Sequence, residues 1–296
     1  MKQFQLDFMG IGTIKSGSSL LADLLMQHPE VQWASRKELN YFNAYQADGS
    51  INPYQEQPFS FYRQFFPENK SRGLKWGEYS PVYMADKVAM HQIQSHFPSI
   101  GIIVSLRNPV DRAYSHYLYA RDFLQTIPTS LEFEEAYYEF SWLKSLGMYS
   151  SQLELLFSLF PRDQCLVFIF EELIQHPLKF AGELYRHIGV DDNFQPEIKK
   201  VNANKQIKYQ PIENLLASIS RLKANAGKRT LDNLYNSPLY PMILELKHRI
   251  RDLNIKSGEK SHLPITTYQE IYTEFQADIE LTRKLLNIDE VLWPIS

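Results

Sequence analysis

The sequence predicts an α/β fold built as three layers, with helices flanking both faces of a central parallel sheet, in one domain spanning residues 1–296. Two patterns carry this expectation. Short apolar runs rich in β-branched or aromatic residues alternate with helix-period segments along the chain. The first such pair, FMGIGTIKSGSSLLADLL at 8–25, reads as a buried strand, a turn of small residues and the opening turns of an amphipathic helix. A composition of 44% apolar and 14% aromatic residues over 296 positions fills the core of such a domain without disulfides or metals.

Strands are expected at 4–11, 31–34, 74–78, 100–106 and 165–170, each short and apolar. Helices are expected at 18–28, 81–97, 109–124, 131–143, 148–160, 176–188, 211–225, 239–252 and 267–286, with Pro29, Pro98 and Pro161 as stops. Residues 43–73 mix polar, aromatic and turn residues and read as a long excursion, either the border of a binding site or a packed surface loop. Residues 191–210 read as a second loop, with Asn202, Asn204 and Lys205 as candidate polar contacts. The chain shows no internal repeat, low-complexity tract or domain linker.

A formal charge of −3 gives no global basic field, so non-specific binding of nucleic acid or polyanions has no compositional support and any anion site must be local. The single cysteine, Cys165, cannot form an intramolecular disulfide, fits a reducing compartment and reads as a core residue in CLVFIF. No basic head precedes an apolar leader and no stretch approaches the length of a membrane span, so the expectation is a soluble cytoplasmic protein.

The turn after the first strand nearly spells the triphosphate loop G-x-x-x-x-G-K-[ST]: Gly12, Gly17 and Ser19 are in place, but Ser18 stands at the lysine position and the lysine falls earlier, at Lys15. A lysine before the second glycine reaches a shorter group at the loop mouth rather than the β/γ-phosphates of ATP. Backbone amides at a helix N-terminus, two hydroxyls and an ammonium suit a phosphate-like group, which makes the expected fold P-loop-like; as plain structure, the same residues are a turn and an N-cap. A second strand-to-helix junction lies in IGIIVSLRNPVDRAYSHY at 100–117, where Arg107 closes a buried run and Asn108-Pro109 turns into a helix bearing Ser115. Arg107 is either an anion ligand or the ion-pair partner of Asp111; a charge at the end of a buried strand is costly without a ligand, which favours the former.

The ordered segments KSGSSLL, KELNYF and RNPVDRAYSHY resemble the cofactor and base motifs of sulfotransferases that use 3'-phosphoadenosine 5'-phosphosulfate (PAPS), of the heparan-sulfate type and its bacterial relatives. The resemblance implies sulfuryl transfer, by in-line displacement and without a metal, to a hydroxyl or amine acceptor such as a carbohydrate or glycolipid. It implies PAPS contacts by Lys15, Ser16, Gly17, Ser18 and Ser19, with Lys15 stabilising charge on the bridging oxygen, and 3'-phosphate contacts by Arg107 and Ser115. It also implies that Glu38 is the general base and that Lys256, Ser257 and Gly258, with Lys260, close over the 3'-phosphate. Lys37 and Glu38 otherwise form a surface pair, and 254–265 otherwise a lysine-rich turn.

The segment WGEYSPVY at 76–83 resembles a motif beside the acceptor site; heparan-type enzymes often carry lysine where this chain has Tyr79, so that lysine's role is missing. Glu78 is either a second acid/base or acceptor-binding carboxylate, or a buried hydrogen-bond partner. His116 neighbours Ser115 on a helix, points about 100° away from it and reads as structural. His28, before Pro29, reads as a helix C-cap. Trp33, Tyr41, Phe42 and Tyr45 are aromatic residues that either stack on sugar rings or fill core. The competing functions are a nucleotide kinase, which requires a lysine near Ser18 and an acidic Mg²⁺ ligand, and a non-catalytic nucleotide-binding protein.

Overall fold

The computed structural model describes residues 4–44, 52, 57–69, 71–198, 205–209, 211–212, 214–216, 218, 237, 242–243, 246, 249–250, 253–257 and 263–294. The chain divides into two compact units, Met1–Ala113 with Phe140–Lys199 and Ile265–Ser296, and Tyr114–Glu139 with Lys200–Pro264.

The first unit holds a five-stranded sheet of β1 (Phe8–Gly12), β2 (Val31–Trp33), β3 (Lys75–Tyr79), β4 (Gly101–Leu106) and β5 (Cys165–Ile169), in the order β2-β3-β1-β4-β5. Every pairing is parallel. All five residues of β1 are buried, as a strand covered on both faces requires. Gly10 is compulsory there, because a Cβ would sit 2.1 Å from Cδ2 of Tyr79 on the neighbouring strand.

The helices of this unit are α1 (Ser18–Gln27), α2 (Phe59–Arg63), α3 (Lys87–His96), α6 (Trp142–Ser145), α7 (Tyr149–Leu159), α8 (Phe170–Gln175), α9 (Pro177–Ile188) and α10 (Ile265–Leu286); α4 (Pro109–Tyr119) begins in it and belongs to the second unit from Tyr114, and α5 (Phe133–Glu139) lies in the second. One sheet face packs Phe8, Tyr79, Ile103 and Phe168 against Leu21, Leu24 and Leu25 of α1 and Phe180, Leu184 and Tyr185 of α9. Residues of alternate parity, Met9, Ile11, Ile102 and Val104, are equally buried, and α3, α7 and α10 pack together as the other helical layer. Asp278 of α10 binds the first amides of α7, accepting from Tyr149 N at 2.7 Å and Ser150 N at 3.1 Å. No described helix is long and apolar enough to cross a membrane.

In the second unit Tyr117 donates to the Leu131 carbonyl at 2.7 Å, and its ring lies 5.4 Å from that of Phe133. The strands β6 (Lys205–Ile207) and β7 (Ile255–Ser257) pair antiparallel.

The differences from the sequence expectation have local causes. Residues 4–6 lie outside the ladder, so β1 starts at Phe8. The expected helix 81–97 is divided by Asp86, whose Oδ1 caps α3 through Val88 N and Ala89 N. Residues 109–124 finish in a π-helical turn closed by Gln125 at φ 55, and 131–143 splits into α5 and α6. Phe170 leaves the expected strand to start α8. Residues 43–73, expected as an excursion, supply α2 and buried Tyr62 and Phe66, which pack with Phe4, Phe42, Trp76 and Phe97. Lys205–Ile207 and Ile255–Ser257, expected as loop, are strands. Cys165, expected in the core, is half-buried on edge strand β5, and burial pushes its thiol up to about 12. The described residues within 211–225 and 239–252 are helical.

Candidate functional site

The chain leaves β1 towards β2 on one side of the sheet and leaves β4 towards β5 on the other, so the crevice of an open α/β sheet falls beyond the C-terminal ends of β1 and β4. The loop before α1 and the segment carrying Arg107 follow those two strands.

Lys15 and Gly17 turn this loop with φ 66 and 88. Gly17 is required twice over, since a Cβ would meet Phe170 Cδ2 at 2.8 Å in a backbone conformation that disfavours side chains. It is the N-cap of α1 and supplies no side-chain cap, leaving the helix N-terminus to backbone or ligand partners. Ser16 is turned inward: Thr13 Oγ1 donates to the Ser105 carbonyl at 3.0 Å and receives the Ser16 hydroxyl at 2.7 Å, which pins the loop to β4. Ser18 is also buried, whereas Ser19 is exposed.

Arg107 is half-buried, donates from Nη1 to the Lys15 carbonyl at 3.2 Å and lies over the Phe170 ring at 4.9 Å. Its Nε is buried and has no hydrogen-bond partner among the described residues. A guanidinium with an unspent donor beside a left-handed loop is chemistry suited to a phosphate. Three contacts fix its backbone setting: Tyr149 OH donates to the Arg107 carbonyl at 2.9 Å, and Glu171 accepts from Asn108 N at 3.0 Å and from Trp293 Nε1 at 2.8 Å. Burial raises the Glu171 carboxyl, an effect opposed by those hydrogen bonds and by the charge of Arg107. Asn108 in turn caps α4 through Val110 N and donates to Tyr268 OH at 2.8 Å.

Glu38 sits after β2 with φ 57, its side chain 43% exposed and 3.5 Å from Lys37 Nζ. The Lys37 ammonium also donates to Ser19 Oγ at 2.9 Å, so one side chain spans from the helix N-terminus to the carboxylate. Burial first and the Glu38 charge second hold the Tyr79 phenol far above its ordinary value, and that phenol donates to the Gly12 carbonyl at 2.6 Å. Lys15, Ser19, Glu38 and Arg107 are therefore linked by short contacts around one loop.

Glu78 has no exposed surface. Its carboxylate accepts from Ser80 Oγ at 2.7 Å, Tyr62 OH at 3.0 Å and Tyr83 OH at 3.2 Å. Burial pushes it up to about 7, against the opposing pull of these donors and of the Leu39 amide. The alternative of a buried hydrogen-bond partner is the one realised.

Ser115, half-buried, and His116, buried, lie on α4 in the second unit, as do Lys256 and Ser257 in β7. Gly258, Lys260, Tyr45, Asn202 and Asn204 lie outside the described residues. His28 closes α1 as expected: its N–H donates to Leu25 O, Nδ1 accepts from Glu30 N at 3.1 Å, and the ring packs on Tyr185. Phe42 is core, while Tyr41 donates to the Gln57 carbonyl at 2.8 Å and Trp33 is half-buried at the end of β2. The sequence reading missed Thr13, which braces the loop from within, and Tyr149 and Glu171, which support the Arg107–Asn108 backbone from distant positions and carry no local signal.

Residues 8–196 match the model of a protein family described as the Sulfotransferase family, a stretch that contains the loop, Glu38, Arg107 and Ser115 and ends before Lys256. The membrane-associated sulfotransferase kil1 of Dictyostelium discoideum is 29% identical over 138 residues, 45% of this chain and 27% of that protein. The heparan sulfate glucosamine 3-O-sulfotransferase 3B1 of Mus musculus is 30% identical over 182 residues, 60% of this chain and 43% of the relative. The chain spans less than half the length of these relatives. A crystal structure of a sulfotransferase from Alicyclobacillus acidocaldarius superimposes with TM-score 0.58 at 23% identity, covering 75% of this chain and 94% of that one, and shows the same P-loop-like fold.

Proposed function

Since the chain belongs to the sulfotransferase family, we propose that it moves a sulfuryl group from PAPS to a hydroxyl or amine by in-line displacement, with Glu38 as general base and residues 1–296 acting as one catalytic domain. The observation that carries this reading is the Lys37 ammonium, 2.9 Å from Ser19 Oγ and 3.5 Å from Glu38 Oε1, because it joins the start of α1 to a carboxylate whose side chain is 43% exposed. The donor supplies a sulfuryl group whose bond to a phosphate oxygen breaks as sulfur bonds to the acceptor's oxygen or nitrogen.

Glu38 takes the proton that the acceptor loses, a role open to it because nearly half of its side chain faces solvent. Lys15 stabilises the charge left on the phosphate, with Ser16, Gly17, Ser18 and Ser19 supplying backbone and hydroxyl donors at the start of α1. Arg107 binds the 3'-phosphate; its unpartnered buried Nε supports this. Ser115, Lys256, Ser257 and Gly258 are assigned to the same phosphate by resemblance alone. A carbohydrate acceptor is supported by the name of the mouse relative.

The test is a thermal-shift comparison of adenosine 3',5'-bisphosphate with ATP plus Mg²⁺, followed by transfer from radiolabelled PAPS to a panel of carbohydrate and glycolipid acceptors. Stabilisation by the bisphosphate and label in an acceptor are expected. Stabilisation by ATP plus Mg²⁺ alone would overturn the proposal.

A further inference from the structure

Glu78 is fully buried and so contacts neither donor nor acceptor, yet the groups around it lead to the segment that carries Glu38. The Leu39 amide bonds to its carboxylate directly. Two of its hydroxyl partners are relays: Ser80 Oγ accepts the Asn40 N–H at 3.1 Å, and Tyr83 OH accepts the Tyr41 N–H at 2.8 Å. Three consecutive amides after Glu38 thus converge on one carboxylate and its two hydroxyls. The opposite edge of the segment is held as well, since Asn52 Nδ2 donates to the carbonyls of Asn40, Tyr41 and Asn43 at 2.7, 3.3 and 2.6 Å. Glu38 and Asn40 adopt φ 57 and 50, a region that side-chain-bearing residues occupy where their surroundings impose it.

We propose that Glu78 is a positioning residue for Glu38: with Ser80 and Tyr83 it anchors the amides of 39–41 and so fixes the direction in which the Glu38 carboxylate faces the acceptor. This rests on the reading of Glu38 as the base. The third hydroxyl, that of Tyr62, bonds to the same carboxylate but receives none of the 39–41 amides, which provides an internal control. Tyr62 and Tyr83, the titratable groups bonded to Glu78, are neutral phenols whose ionisation burial opposes. The four donors favour the ionised carboxylate, an acceptor only, but burial outweighs them and raises the Glu78 carboxyl.

The experiment compares Tyr62→Phe, Ser80→Ala and Tyr83→Phe, each of which deletes one hydrogen bond to Glu78 without removing a charge. Ser80→Ala and Tyr83→Phe are expected to lower kcat by about ten- to a hundred-fold, as misplacement of a reacting group does, and Tyr62→Phe by less than about threefold at a comparable loss of Tm. Affinity for adenosine 3',5'-bisphosphate stays unchanged in all three, and adding Ser80→Ala to Glu38→Gln costs no further activity. Amide exchange of the protein alone should accelerate at 39–41 in the Ser80 and Tyr83 variants and not in Tyr62→Phe. Equal loss of kcat in all three, a further loss in the Glu38→Gln background, or unaltered exchange at 39–41 would overturn the proposal. If the unsubstituted protein transfers no sulfuryl group, the assigned function fails, while the exchange measurement still decides whether the network anchors the segment.

Discussion

Replacing Arg107 by alanine separates two roles that the structure gives its guanidinium. Within the fold it donates one hydrogen bond to Lys15 and lies over Phe170. These contacts are half-exposed and contribute roughly 1–2 kcal/mol to stability. Towards a ligand it offers the buried Nε–H that no group among the described residues accepts. A charge-assisted hydrogen bond of that kind contributes about 1.5–3 kcal/mol, which is about a ten- to a hundred-fold change in Kd per bond. Calorimetric titration with adenosine 3',5'-bisphosphate and with adenosine 5'-phosphate isolates the second role, because both ligands meet the same loop and only one carries the 3'-phosphate. The Arg107→Ala protein should bind the bisphosphate at least about tenfold more weakly while its affinity for the monophosphate moves by less than about threefold. Arg107→Lys, which keeps the charge without the planar fork, should fall between. Equal losses for the two nucleotides would mean that Arg107 acts only by shaping the Lys15 loop, and would refute the phosphate assignment.

Glu38→Gln should lower turnover by about a hundred- to ten-thousand-fold with unchanged nucleotide affinity, and near-normal turnover would place the base elsewhere. Gly17→Ala forces a Cβ against Phe170 at φ 88 and should cost about 1–3 kcal/mol in urea unfolding; unchanged stability would contradict the loop geometry. Glu78, pushed up to about 7 from 4.5 by burial, holds its proton in the folded chain at pH values where the unfolded chain has lost it. Its contribution therefore favours the fold below the unfolded value and is lost as pH rises through about 7, by up to roughly 3 kcal/mol. The difference in unfolding free energy between the unsubstituted protein and Glu78→Gln should decline between about pH 5 and pH 8, and a flat difference would contradict the burial cause. EDTA should leave transfer intact, whereas complete loss reversed by Mg²⁺ would favour a kinase.

The five-strand sheet was legible because β1 to β5 are local apolar runs, and the loop because Gly12, Gly17 and Ser19 keep a known spacing. What escaped depends on contacts distant in sequence. Nothing in 43–73 marks Tyr62 as fully buried; its ring becomes core through Phe4, Phe42 and Phe97, and its hydroxyl through Glu78. Residues 176–188 announce α9 by period, but Phe170 starts α8 instead of closing β5, and Glu171 beside it accepts from Asn108 N, a pairing visible only in three dimensions. Ser16 adds a contact of the same kind: its hydroxyl bonds to Thr13 inside the loop, which the motif spacing does not reveal.

Tyr79 illustrates how the environment of the site departs from a pattern inferred by resemblance. Side chains alternate along β3, so Glu78 faces the Glu38 segment while Tyr79 faces the α1 and α9 layer. A tyrosine fits there because Gly10 leaves room for its ring, and its hydroxyl then meets the Gly12 carbonyl at the loop entrance. The rigid ring ties β3 to the loop through one bond of 2.6 Å and brings no positive charge to the site. Among the described residues the cationic groups beside this loop are Lys15, Lys37 and Arg107, of which Lys37 bonds to Ser19 at the start of α1 and Arg107 to the Lys15 carbonyl. In a chain of net charge −3, an anion would be drawn to this site by groups held within hydrogen-bond reach of the loop rather than by a long-range field.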